Sequence, residues 1–126
     1  MNLSLAWDNP EQTVIRQTLF DGWTWEALYE LNEQTNAMMR SVDHRVHLLV
    51  DFTQTSHLPL GGMTHAHNIY KNYPANFDLL VVVTRNALVE RMISMFQAVY
   101  GSQTVYGVSS FDDAYRLIAE HEPSTT

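Results

Sequence analysis

The chain has no cysteine. That excludes disulfide staples, thiol nucleophiles and cysteine metal sites. Basic residues are also scarce: seven Lys and Arg stand against fourteen Asp and Glu, for a formal net charge of −7. The seven are Arg16, Arg40, Arg45, Lys71, Arg85, Arg91 and Arg116, and no two are adjacent. Nucleic acid and anionic lipid surfaces are held by clustered basic side chains, so no nucleic-acid partner is expected. No apolar run approaches the roughly 18 residues that cross a bilayer, and no membrane insertion is expected. The opening MNLSLAWDNP lacks the basic start and long apolar stretch of a secretory signal, which makes the cytoplasm the expected location. Glycine-rich dinucleotide fingerprints, P-loops and HExxH zinc motifs are absent too, so no cofactor is expected.

What is present is one domain's worth of ordinary globular sequence, 126 residues with 45% apolar and 17% charged content, expected to fold as a single unit over 1–126. Leu3 to Trp7 reads as a strand. Asp8-Asn9-Pro10-Glu11 follows as a turn, and Gln12 to Phe20 as an antiparallel hairpin partner. Asp21-Gly22 ends that strand. Thr24 caps a helix whose apolar face carries Trp25, Leu28, Leu31, Thr35, Met38 and Val42 and which ends near Ser41. Val46 to Phe52 and Phe77 to Thr84 are nearly continuous apolar runs, the pattern of strands covered on both faces. Between them lie an irregular stretch from Thr53 to Gly62 and a helix from about Met63 to Asn72, stopped by Pro74. Asn86 caps a third helix that Gly101 stops, Gln103 to Val108 is a fifth strand, and Ser110 caps a last helix over Phe111 to His121 with Ala114, Leu117 and Ile118 facing inward. The tail 122–126 is expected to fray. The order is β-β-α-β-α-β-α-β-α, an α/β fold with a five-stranded mixed sheet and helices packed on it.

Sheets of this kind place their sites beyond the carboxyl ends of the strands. There the sequence puts Asp51, Thr53, Thr84 and Arg85, with Thr55, Ser56, His57, Gly61 and Gly62 in the long loop. These are the candidate interaction or ligand residues. Ser, Thr and Asp at such places also cap turns and helices. A dehalogenase-type nucleophile strand would need a second Asp where Thr53 stands, and a receiver domain would need an acidic pair and a Lys that are missing. His65 and His67, two apart on a helix, diverge by about 200° and do not share a metal, so no metal site is assigned. No nucleophile, base and orienting group come together by spacing, and no catalytic residue is assigned. The third helix is apolar over a wide arc. Its Met92, Met95 and Phe96, with Trp23, Trp25, Tyr70 and Tyr73, are candidates to line a subunit interface or an apolar pocket.

Four segments carry a resemblance: Gly22-Trp23-Thr24-Trp25-Glu26 at the first strand-to-helix junction, LLVDF at Leu48 to Phe52, FDLLVVV at Phe77 to Val83, and Phe111-Asp112-Asp113-Ala114 opening the last helix. In these and in the order of its elements the chain resembles the bacterial SpoIIAA-like family, related to the STAS fold of the sporulation anti-anti-sigma factor and to Sec14-type lipid-binding domains. The resemblance implies a non-enzymatic regulatory module that contacts another protein or a second copy of itself as a homodimer. A carrier of a small apolar or lipid-like ligand is the alternative. It also points to the phosphorylated serine of anti-anti-sigma proteins. Their Asp-Ser-Ser-Gly-type motif is replaced here by Thr55-Ser56-His57-Leu58, with Ser56 as the nearest counterpart and Thr53 and Thr55 beside it.

Overall fold

Local capping sets the ends of the elements in a computed structural model that describes residues 2–101 and 103–121. The tail expected to fray lies outside the described residues. The first two strands, β1 (Leu3–Trp7) and β2 (Val14–Leu19), pair antiparallel with Leu3 opposite Leu19 and Trp7 opposite Ile15. β2 starts two residues later than the alternation suggests, because Gln12 has a φ of 58° and sits in the turn. The Asn9 side chain organises that turn, its Oδ1 accepting from the backbone N–H of Thr13 and of Val14. An Asx side chain that satisfies two amides in this way holds a loop that strand pairing does not reach.

Helix α1 (Trp25–Arg40) begins where Thr24 Oγ1 accepts from Ala27 N, and Glu26 adds negative charge at the positive end of the dipole. Strand β3 (Val46–Asp51) follows, buried at every position. Then come α2 (Gly62–Tyr70), β4 (Phe77–Val83), α3 (Ala87–Tyr100), β5 (Val105–Val108) and α4 (Phe111–His121). Asn86 Oδ1 accepts from the amides of both Leu88 and Val89 to start α3, and Ser110 Oγ accepts from Asp113 N to start α4.

The strands lie side by side in chain order, β1-β2-β3-β4-β5, antiparallel only between β1 and β2. One face carries Ile15, Leu19, Val46, Leu48, Val50, Val82 and Val105, packed against Leu28, Leu31 and Met39 of α1, Ile69 of α2 and Val89, Ile93 and Phe96 of α3. The other carries Val14, Leu49, Leu79, Val81 and Val83 under Ala114 and Ile118 of α4. Three crossovers thus use one face while the chain steps steadily across the sheet, so all three have the same hand. α1 leans on β1 and α3 on β5, whereas α2 packs more closely on α1 than on any strand.

Within α1 the buried stripe is Leu28, Leu31, Asn32, Thr35 and Met39. Met39 is fully buried, and the Met38 expected on this face is half-exposed. Truncation separates the two. Met39→Ala is expected to lower stability by about 2–5 kcal/mol, and Met38→Ala by less than about 1.5 kcal/mol. Equilibrium urea unfolding of both variants checks this.

Candidate functional site

The strand ends bring together most of the residues that the sequence places there, and their polar atoms are largely bonded within and between the loops at that end. Asp51 is buried. Its Oδ1 accepts from Thr53 N at 2.8 Å and from Thr53 Oγ1 at 2.6 Å, and its Oδ2 lies 3.6 Å from Arg16 Nη2. Thr55 is buried and donates from Oγ1 to Leu19 O at 2.6 Å. Thr84 is buried and its Oγ1 accepts from Asn86 N at 3.0 Å. Arg85 is exposed and its Nε reaches Ser109 O at 3.3 Å. A cleft of about 700 Å³ opens at this end, with Thr53, Thr55, Ser56, Arg85, Ser110 and Asp112 among its walls. The crevice of doubly wound sheets forms where strand order reverses. This order never reverses, so the cleft is bounded mainly by loops, with Val83 at the end of β4 and the first turn of α4.

Ser56 bonds to Asp21 and has no bond to Asp51. Its N–H and its hydroxyl both donate to the Asp21 carboxylate, at 2.7 Å and 2.9–3.0 Å. These two bonds, backbone first and hydroxyl second, hold the Asp21 carboxyl below its ordinary 3.8, and the charge of nearby His57 adds a smaller push the same way. A phosphate on Ser56 would face this carboxylate, and one on Thr53 would face Asp51. Like charges at that range repel, so neither exposed hydroxyl suits a phosphoserine-type switch.

Gly61 caps α2 with a φ of 82°, a conformation that side chains disfavour. A Cβ on Gly62 would sit 2.8 Å from Met92 Cε, so this glycine serves the close approach of α2 to α3. The α2 histidines go separate ways. His65 stacks on Trp25 at 4.9 Å and bonds through Nδ1 to the Tyr29 hydroxyl at 2.7 Å, whereas His67 bonds to the Tyr100 hydroxyl.

The second concavity lies between the sheet and the three helices of the crowded face. It is an apolar cavity of about 110 Å³. Leu19, Val50, Leu80, Val82 and Val105 form the sheet side; Trp25 and Leu28 of α1, Ala66, Ile69 and Tyr70 of α2, and Val89, Met92, Ile93 and Phe96 of α3 form the helix side, with Phe52, Leu58 and Tyr73 completing it. Of the apolar candidates named from sequence, Trp25, Tyr70, Tyr73, Met92 and Phe96 line it together. Met95 does not: it is 49% exposed on the outer side of α3 with Leu88 and Val99. Trp23 is buried in the neighbouring core, edge-on to Trp25 at 4.7 Å. Burial pushes the Tyr73 phenol well above its ordinary pKa, so it is a neutral hydroxyl.

Two polar side chains interrupt the apolar wall, Gln17 and Asn32. Sequence reasoning passed over both. Gln17 carried a signal: it lies on the strand face of Ile15 and Leu19, where an amide breaks an apolar set. Asn32 gave less warning, since a polar residue on a helix reads by default as solvent-facing.

The Asp21 pairing gives a pH test. A depressed carboxyl pKa means that the folded state holds the charged form better than the unfolded chain does. Its contribution to stability is therefore present above pH 3.8 and lost as pH falls through the lower folded-state value. In an NMR titration Asp21 is expected to ionise below its ordinary value, and Ser56→Ala to raise it back toward that value. An unchanged Asp21 titration in the variant would break the assignment.

No protein-family model matches the chain, and none of the curated proteins matches its sequence.

Proposed function

We propose that this protein is a binding module that holds a small apolar molecule between its sheet and helices α1, α2 and α3. The observation that carries the reading is the apolar cavity of about 110 Å³ beneath α2. The concavity is partly open to the surface, and an apolar hollow of this size lacks contacts that a ligand would supply. An enclosed apolar cavity of ~150 Å³ can stay dry and take up benzene. This one suits a molecule of about five or six heavy atoms, and the pliable Met92 side chain lets the fit adjust. The use of Asp51, Thr55, Ser56 and Thr84 in structural hydrogen bonds supports binding over chemistry at the strand ends.

Benzene is a suitable probe. At ten times its dissociation constant it is expected to stabilise the fold by about 1.4 kcal/mol, a rise in Tm of roughly 5 °C. Ala66→Leu places extra carbons in the cavity and is expected to abolish that rise while the protein stays folded. A benzene response that survives the substitution places the ligand elsewhere.

A second reading follows the SpoIIAA-like resemblance, in which the domain acts by contact with a second copy of itself. Two features favour it: the element order and the exposed outer stripe of α3, Leu88 (53%), Met95 (49%) and Val99 (69%). Exposed apolar side chains in a row along one helix mark a contact surface more than scattered ones do. Light scattering is expected to show a dimer that Met95→Lys with Val99→Lys converts to monomer. A native chain that is monomeric at all concentrations overturns this reading and leaves the cavity untouched.

A further inference from the structure

The polar interruption of the cavity wall has a fixed sense. Gln17 is 2% exposed and Asn32 6%. Asn32 Nδ2 donates to Leu28 O at 2.9 Å, which leaves its Oδ1 turned toward Gln17. Thr35 Oγ1 donates to Leu31 O at 2.9 Å, which leaves its lone pairs toward Gln17. Both bonds are the i−4 back-bonds that polar side chains make on a helix. Gln17 therefore meets two acceptors, and only its Nε2 satisfies them: it donates to Thr35 Oγ1 at 2.9 Å and to Asn32 Oδ1 at 3.3 Å. The orientation of this amide follows from the α1 backbone, because the flipped amide would set its oxygen against both acceptors. Among the described residues nothing donates to Gln17 Oε1, an atom that is not fully enclosed, and Gln17 lines the cavity. Of the other polar groups there, the Tyr70 hydroxyl is bonded to Thr104 and Trp25 Nε1 to Leu60 O, and the neutral Tyr73 hydroxyl belongs to the ring cluster on the far side of the cavity. No Lys, Arg or His lines the cavity.

From this we infer the class of ligand: a small neutral molecule, apolar over most of its surface, with one N–H or O–H that donates to Gln17 Oε1. The inference rests on the cavity reading above and adds a direction to it. A carbonyl oxygen set in an apolar wall without a donor is costly, and an apolar residue at position 17 would avoid that cost. The same oxygen rejects carboxylates and other anions, since like partial charges would meet with no cation to balance them.

Pyrrole and furan separate the two levels of the argument. They have five heavy atoms each and nearly the same shape, and only pyrrole carries a donor. Titrated into the native protein by NMR, pyrrole is expected to bind at least tenfold more tightly than furan. With no acceptor in the cavity the order would invert, because burying an unpaired N–H weakens binding by about tenfold or more. Gln17→Met is expected to remove pyrrole's advantage and leave furan within threefold of its native affinity, a change that a purely structural Gln17 would not produce. If that variant fails to fold, the pyrrole-to-furan ratio of the native protein decides alone. Furan bound as tightly as pyrrole overturns the donor inference and leaves the cavity reading standing. Failure of benzene, furan and pyrrole alike overturns both.

Discussion

Chain-order stacking of the strands is the constraint from which the rest follows. Each crossover helix joins adjacent strands, so the three helices would be centred about 4.8 Å apart above the sheet. Helices pack no closer than about 8–10 Å. They must therefore spread, and they do: α1 shifts outward to β1, α3 outward to β5, and α2, left in the middle, packs against α1 more than against the strands. The cavity lies beneath that middle helix, walled by Ala66, Ile69 and Tyr70 from above. The opposite face has no such crowding, since among the described residues only α4 returns to it, and its buried core of Val14, Leu49, Leu79, Val81 and Val83 with Ala114 and Ile118 is small and aliphatic.

The sheet bears the cost of that arrangement in one place. β2 is an inner strand buried on both faces, and Gln17 and Thr18 are buried within it. A glutamine there is tolerated because α1 presents two acceptors on its buried face, one turn apart. The network also fixes α1 in register over β2, because an axial slip of one turn would separate Thr35 from the amide. A polar cluster in an otherwise apolar layer gives up some stability for a single arrangement of the layer, and functional sites are where such local rule-breaking concentrates.

The element order was readable from sequence because each element carries its own local signal: Thr24, Asn86 and Ser110 as caps, Pro74 and Gly101 as stops, and apolar runs for β3 and β4. What depends on the third dimension was not. Gln12 lost its place in β2 to a turn set by Asn9, and β5 begins at Val105 rather than Gln103 because pairing with β4 starts opposite Leu80. The wide apolar arc of α3 did point to a second role, but periodicity cannot divide it into an inner side at Met92 and Phe96 and an outer side at Met95. The strand-end residues were found, but Asp51 and Thr84 are bonded locally and Thr55 and Ser56 tie their loop to Leu19 and Asp21, since Ser, Thr and Asp suit structural bonds as well as they suit sites.

The two ends of the cavity differ in stiffness, and the difference suits it to a small guest. On one side Tyr70 is held by Phe96 at 5.6 Å, Tyr73 at 5.9 Å and Phe77 at 5.9 Å, and Tyr73 stacks on Phe77 at 4.4 Å. Edge-to-face and offset ring contacts of this kind fix one another's orientation. On the other side Met92 and Leu58 meet over Gly62, where no side chain intervenes. Methionine moves among rotamers at little cost, so volume is most readily gained or lost there. Gln17 and Asn32 belong to the stiff part, Asn32 pinned to the Leu28 carbonyl and Gln17 to the Thr35 hydroxyl and the Asn32 amide oxygen. On the proposed reading, the wall would fix where a ligand's donor points and yield on the side where its apolar body fits.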